Sequence, residues 1–375
     1  MTDKQTVKFS DIAAQILNRV TPKEGEEKNF IGLEHLISGC LYINKWGDDK
    51  KLSTQAFKVN KGDIIFARRN TYLKRVAISP IDGICSADAM VIRPVAGLIE
   101  PAFLPFFMQS NVFMERAISI SAGSLSSRVK WKDLAQQSFV LPTLEEQRKL
   151  LKSLNKLDEI IELKKGIQCS VLDLKRIFIS KFFSKKYLED YGAKKVSFLD
   201  SLEIVSGQVD PTSEKYKKYP HIAPDNMEKK LAILLPYNTA EQDKVKSGKF
   251  LFDEEHVLYS KIRPNLRKVV FPRIKGVCSA DVYPLKGKCG LQTEYLFYLL
   301  QSEHFNKYAI GTSMRTGMPK INRQDLCAYS FYLPSKELQC LIVKRLKALD
   351  GQYLEITKAL TSAYNLKNAY LNMVR

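Results

Sequence analysis

Two stretches of the chain place cations, side-chain amides and a phenol directly after an apolar run, a combination that can hold a polyanion. The first follows Ile64-Ile65-Phe66-Ala67 and carries Arg68, Arg69, Asn70, Tyr72, Lys74 and Arg75. The second follows Val257-Leu258-Tyr259-Ser260 and carries Lys261, Arg263, Asn265, Arg267 and Lys268. Lysine and arginine neutralise phosphates, while arginine and asparagine also make paired hydrogen bonds to guanine and adenine edges in the major groove. A further pair of segments has the same character. Ser124, Ser126, Ser127, Arg128 and Lys130 in the first half correspond to Arg315, Thr316 and Lys320 in the second. Small hydroxyl residues and glycine there let a backbone approach phosphates closely. These residues form the expected DNA-binding set.

The whole chain carries the same signal. Its 375 residues hold 59 Lys and Arg against 40 Asp and Glu, a formal charge of +19, which points to a polyanionic partner, nucleic acid first and an anionic membrane second; the paired base-edge chemistry of the loops makes double-stranded DNA the expected partner. Other chemistries leave no mark. There is no phosphate-binding G-x-x-x-x-G-K-[ST], no G-x-G-x-x-G, no G-x-S-x-G, no H-E-x-x-H and neither adenine-methyltransferase motif. Seven cysteines without a C-x-x-C pair and four scattered histidines give no disulfide framework and no metal site. A nuclease reading can only be forced from Pro224-Asp225 with Glu228 and Lys230, because the groups are too close together for the usual acidic pair plus lysine and an E-x-K triplet is expected by chance in so lysine-rich a chain. No apolar run spans a bilayer and the segment Met1-Thr2-Asp3-Lys4-Gln5 is polar, so the expectation is a cytoplasmic protein without a membrane partner.

Two long helices must position these loops. After Leu141-Pro142, Thr143 and Glu146 fit a capping box, and Leu150, Leu154, Leu157, Ile161, Leu174 and Phe178 recur at steps of three and four or their multiples. After Leu333-Pro334 the pattern returns with Ile342, Leu346, Leu349, Tyr353, Ile356 and Leu360. About 40 residues of helix make a rod of roughly 60 Å. A globular part of some 140 residues is nearer 35 Å across. The two seams are therefore expected to pair with each other, antiparallel, with polar gaps at Lys164 and Gln168.

The rest of the text also repeats. Ile84-Cys85-Ser86-Ala87-Asp88 returns as Val277-Cys278-Ser279-Ala280-Asp281, and Leu73-Lys74-Arg75-Val76 as Leu266-Arg267-Lys268-Val269, both at an offset of 193. From Asp133-Leu134 onward the offset is 192 and holds through Gln147, Leu157-Asp158 and Leu174-Lys175. The expected fold is α/β (α+β): two globular parts and two long antiparallel coiled-coil helices, an internal tandem repeat with pseudo-two-fold symmetry. The expected boundaries are 1–142, 143–183, 184–334 and 335–375. Between the repeated strands, 40–59 and 229–253 share almost nothing, as suits one frame presenting different loops to different targets. Ser184 to Gly192 reads as a polar linker. The basic, tyrosine-rich stretch 214–221 exists only in the second half.

With these residues in view, the chain resembles the specificity subunit of type I restriction-modification systems. The marks are the twice-repeated Leu-Pro boundary with Glu145-Glu146-Gln147 and Glu337-Leu338-Gln339, the pairs Leu157-Asp158 and Leu349-Asp350, and the strands beginning Gly62-Asp63-Ile64 and His256-Val257. The second copy departs at Leu338 and at Glu255-His256. The resemblance implies two target recognition domains that read the halves of a split DNA sequence, held by spacer helices. It implies no catalytic activity and no cofactor in this chain. S-adenosylmethionine, ATP and Mg would belong to partners, namely two methyltransferase subunits and, through the complex, a restriction subunit. The rivals are a stand-alone, repressor-like tandem DNA-binding protein that dimerises through its helices and a cryptic nuclease.

Overall fold

A computed structural model of the protein describes residues 5–47, 55–121, 127–313 and 318–373. Its contacts divide the chain into two compact units that do not follow chain order: Met1–Gly166 with Lys358–Arg375, and Ile167–Thr357. Both unit boundaries cut the long helices, so each unit holds one globular part and a stretch of each helix. The sequence, by contrast, invites a reading as four consecutive segments.

Each globular part has the same strand plan. In the first unit one sheet runs Ala13–Ile16, Ala89–Pro94, Ile64–Ala67, Val76–Ile78, antiparallel throughout. A second runs Arg19–Val20, Ala56–Val59, Gly83–Ser86, Phe30–Ile31, the last pair parallel. The second unit repeats both orders. Its first sheet is Leu202–Ile204, Val282–Gly287, Val257–Ser260, Val269–Val270. Its second is Gln208–Val209, Lys249–Phe252, Gly276–Cys278, His221–Ile222, again closed by a parallel pair. A further two-stranded ladder in each unit ties the entry of the globular part to its exit, Gln5–Lys8 with Ser138–Leu141 and Lys194–Ser197 with Ser330–Leu333. The strand ahead of each basic loop is buried along its whole length, which is why it reads as an unbroken apolar run.

The long helices occupy Leu144–Phe182 and Lys336–Leu371. The first is capped as its sequence predicts: the Thr143 amide donates to Glu146 Oε2 at 2.9 Å and the Glu146 amide to Thr143 Oγ1 at 3.3 Å. Beside each cap a buried glutamine acts as a clip. Gln147 Nε2 donates to the Pro142 carbonyl at 2.8 Å and to that of Leu98 at 3.2 Å, while its Oε1 accepts the Glu100 amide at 2.8 Å. Gln339 does the same with the carbonyls of Pro334 and Gly290, both at 3.0 Å, and the Gln292 amide at 2.9 Å.

The helices run antiparallel within each unit. In the first, Leu154 and Leu371 share the core and Lys367 Nζ lies 2.6 Å from Asp158 Oδ1. In the second, Gln168 Nε2 donates to Thr357 Oγ1 at 2.8 Å, Lys175 Nζ meets Asp350 Oδ1 at 2.6 Å, and Ile179 and Phe182 pack in one core with Ile342 and Leu346. Asp158 and Asp350 are repeat equivalents, as are Lys175 and Lys367. Each unit thus contains the same ion pair with the helices exchanging roles. Of the expected seam residues, Leu154, Leu157, Ile161, Ile342, Leu346, Leu349 and Leu360 are buried, and Leu150, Phe178, Tyr353 and Ile356 are partly buried. Leu174 is 41% exposed, because the helix turns the neighbouring Val171 and Lys175 inward instead.

Other local expectations shift. Residues 184–192 are no open linker: Ser184 accepts the Tyr187 amide and caps a helix, Lys185–Asp190, whose Leu188 is buried. The apolar stretch near 101–118 forms two helices, Leu104–Gln109 and Asn111–Ser119, interrupted where Ser110 caps the second. No helix among the described residues is long and apolar enough to cross a membrane.

Candidate nucleic-acid interface

The basic loop after each buried strand is a turn of 3-10 helix, Thr71–Leu73 in the first unit and Pro264–Leu266 in the second. Left-handed residues flank it on both sides. Asn70 (φ 53°) and Lys74 (φ 49°) do so in the first copy, Arg263 (φ 48°) and Arg267 (φ 51°) in the second. Non-glycine residues rarely adopt this backbone and pay for it in strain, so its appearance at four equivalent positions marks a loop held in shape by its surroundings.

What holds it is the tail of the serine-rich segment. In the first unit the Val129 amide donates to the Arg68 carbonyl at 2.9 Å and the Asn70 amide to Ser127 at 3.0 Å, so the two stretches pair like short strands across Arg69 and Arg128. In the second, the Ile321 amide donates to Lys261 at 2.9 Å and the Arg263 amide to Pro319 at 2.7 Å, with a bridge between Ile262 and Lys320. The repeated Cys-Ser-Ala-Asp motif completes the junction. The amides of Arg68 and Lys261 donate to the carbonyls of Asp88 and Asp281, at 3.1 and 3.0 Å. Three segments far apart in the sequence therefore converge in each unit.

The side chains differ between the copies. Asp88 is a clasp: one oxygen pairs with Arg69 Nη1 at 3.0 Å and the other with Arg128 Nη2 at 2.9 Å, leaving both guanidinium groups about half exposed. Tyr72 is 61% exposed beside them, and Lys130 is exposed. Lys74 Nζ donates to Asn111 Oδ1 at 3.3 Å. In the second unit Asp281 stands 3.9 Å from Lys261, whose ammonium lies over the Tyr283 ring. Burial, then the neighbouring Lys320 charge, holds Lys261 below its ordinary value. Arg263, Asn265 and Lys320 are exposed.

Several cations of the expected set are committed inside the fold. Arg75 Nη1 donates to the Leu33 carbonyl at 2.8 Å, and its equivalent Lys268, buried, donates to the Pro224 carbonyl at 2.5 Å. Arg267 pairs with Glu303 at 2.8 Å. The Nε of Arg68 is buried. Ser124, Ser126, Arg315 and Thr316 lie outside the described residues. Sequence reasoning missed the two aspartates as members of the site, although their repeated motif was visible. In the stretch 214–221, Lys217 pairs with Glu214 at 2.6 Å and Lys215 lies over the Tyr216 ring. No group of three metal-ligating side chains is found among the described residues. The first unit can present two clasped arginines, an aromatic ring and an amide, and the second an arginine, a lysine and an amide, on two differently decorated copies of one frame.

Comparison with known proteins finds the same division of the chain into two related halves. The model of the type I restriction modification DNA specificity domain matches residues 1–172 and 194–363, once for each half. The chain is 28% identical over 317 residues to the type I restriction enzyme EcoDI specificity subunit of Escherichia coli, covering 75% of this chain and 70% of the relative. It is 25% identical to the putative type I restriction enzyme MjaX specificity subunit of Methanocaldococcus jannaschii, over 93% and 87% of the two chains. Among solved structures, the S subunit of a type I restriction-modification system from M. genitalium superposes with a TM-score of 0.63 at 14% identity, covering 99% of this chain and 96% of that one. A chain from a study of type I R-M complex assembly and conformational transition gives 0.60 at 19%, over 100% and 98%. At such identities the superpositions speak for the fold alone.

Proposed function

Because the chain belongs to the type I restriction-modification DNA specificity family, we propose that it reads a two-part DNA target, one half with each unit, as the non-catalytic specificity subunit of a methylating complex. The observation that carries this reading is the duplicated junction: a strained basic loop clamped onto the tail of the serine-rich segment, built twice on one frame with different side chains. Arg69, Arg128, Lys130 and Lys74 in one unit, and Arg263 and Lys320 in the other, hold phosphates. Asn70, Tyr72 and Asn265 are placed for base edges or stacking, and their difference between copies makes the two half-sites differ. The internally committed Arg75, Lys268 and Arg267 support the loops from behind. Two methyltransferase subunits dock on this chain, carrying S-adenosylmethionine and, with a restriction subunit, the ATP and Mg chemistry.

Adenine-methylation mapping in cells carrying and lacking the chain tests the reading. A split motif should lose its modification when the chain is removed. If every modified motif persists, the proposal fails. Arg128→Ala should weaken recognition of one half-site while methyltransferase co-purification stays intact, and loss of co-purification by a folded variant would count against the assignment. Log K for duplex DNA should fall linearly with log salt.

A further inference from the structure

In both units a loop arrives over the buried lysine of the helix pair, but only in one does it close on it. In the first unit this loop follows the 3-10 turn Leu33–His35; Leu36 is buried, Gly39 in a left-handed conformation (φ 75°) delivers its carbonyl to Lys367 Nζ at 3.1 Å, and Leu41 enters the core. In the second unit the equivalent turn is Pro224–Asn226 and Met227 takes the place of Leu36. Counting on, the left-handed position falls on Lys230 (φ 62°), and Ala232 (φ 58°) stands where the first unit has Leu41. The loop then turns back on itself, with Met227 bridging Leu234. Among the described residues no carbonyl is bonded to Lys175, the counterpart of Lys367; it keeps its carboxylate, Asp350.

Shortening leucine to alanine and folding the loop away leave a groove of about 920 Å³ between the helix at 172–181 and the loop at 229–232, lined also by Arg267 and Glu303. Its lining is mainly apolar, with Ile177 60% exposed on the helix side and Leu231 on the loop side. The cations around it are in excess. Arg267 is neutralised by Glu303 and Lys175 by Asp350, whereas Lys181, Lys229 and Lys230 are exposed and have no carboxylate partner among the described residues.

We propose that this groove docks a segment of a partner protein that is acidic and carries one or two apolar anchors. The three lysines supply complementary charge at the rim, and the floor takes side chains of the kind that Leu41 provides from within the chain in the first unit. A sugar-phosphate backbone would meet the lysines but would set polar groups against Ile177 and Leu231 without hydrogen-bond partners, which favours a peptide over nucleic acid. The inference is independent of the DNA-reading proposal, because the floor lies on the helix and the loop after the 3-10 turn.

The test is selection of short random peptides displayed on phage against the full chain, without DNA, counter-selected against Ser180→Trp, which fills the groove from an exposed helix position. The surviving peptides should be rich in Asp and Glu with a leucine or phenylalanine. They should bind Ile177→Glu, and the double variant Lys229→Glu with Lys230→Glu, at least about tenfold more weakly, while Lys156→Glu elsewhere on the helix leaves binding unchanged. Melting curves show that the variants fold, and the two exposed-site variants of different character guard against one failing to do so. The proposal is overturned if no peptide survives counter-selection, if survivors lack acidic enrichment, or if duplex DNA displaces them from the groove. Failure here leaves methylation by the complex untouched, so the two proposals fail separately.

Discussion

At the scale of single residues, Asp88 is the group whose importance the sequence concealed. It sits in a motif recognisable as repeated, yet in a strongly cationic protein a carboxylate is an unexpected companion for two arginines that we propose hold phosphates. The structure gives the reason: one carboxylate fixes both guanidinium groups in direction. Asp88→Asn removes a negative charge and the clasp together. Affinity for scrambled duplex should rise, while the ratio of matched to scrambled binding falls by about tenfold, ~1.4 kcal/mol, as read by fluorescence anisotropy. An unchanged ratio would show that the arginines act without it. A second buried acid gives a pH-dependent prediction. Burial drives the Asp158 carboxyl up, against the pull of Lys367. In Lys367→Met the pull is gone and the carboxyl rises further. An acid raised in the folded state leaves stability intact below its unfolded value near 3.9 and costs stability as pH rises through the folded value. Lys367→Met should therefore melt close to the parent at low pH and fall behind it toward neutrality, by about 3–5 kcal/mol at full ionisation. Parallel melting curves across that range would contradict a buried, unpaired carboxylate.

At the scale of elements, the cap of the first long helix and both long helices were legible because their signals are local: a Thr-x-x-Glu box, a preceding proline and three-four spacing all act within a few residues. The glutamine clips were not. Gln147 was visible only as a repeated letter, since its partners at Leu98 and Glu100 come from a turn almost 50 positions away. Gln147→Ala leaves two buried carbonyls and one amide short of a partner and should cost roughly 1–3 kcal/mol; chemical denaturation measures it, and a neutral result would mean that water replaces the side chain without loss. Gln339→Ala should behave alike, because it makes the same three bonds. Leu174 shows the limit of spacing as evidence. Steps of three and four put it on the apolar side, but the buried stripe drifts around a straight helix, and at that level the inward positions belong to Val171 and Lys175. The loops at 36–43 and 227–234 were illegible for a different reason. They diverge in sequence, and only their matching left-handed backbone shows that they start from one ancestral path.

For the whole molecule, the repeat in the sequence announced two globular parts and two helices, and the structure has both. What no local signal could convey is that each compact unit borrows from both ends of the repeat. Leu157→Asp, a buried seam position of the first unit, should destabilise that unit and leave hydrogen exchange in residues 202–285 unchanged; loss of protection in both would argue for a single cooperative fold. A chain ended at Thr357 makes the sharper case. It lacks nothing of the second unit, yet it removes Lys367 and Leu371 from the first, so protection should fall among residues 9–139 and persist in the second globular part.

The same arrangement inverts the usual order of assembly on the ribosome. Domains generally close in the order in which they are made. Here the core around Phe9, Phe113 and Leu154 waits for Leu371, and by the time that residue is made every residue of the other unit, 167–357, has already been synthesised. The part of the protein born first is completed last, and in the interval its half-finished apolar seam on the first long helix is the surface that a chaperone, or a second nascent copy of the same chain, would meet.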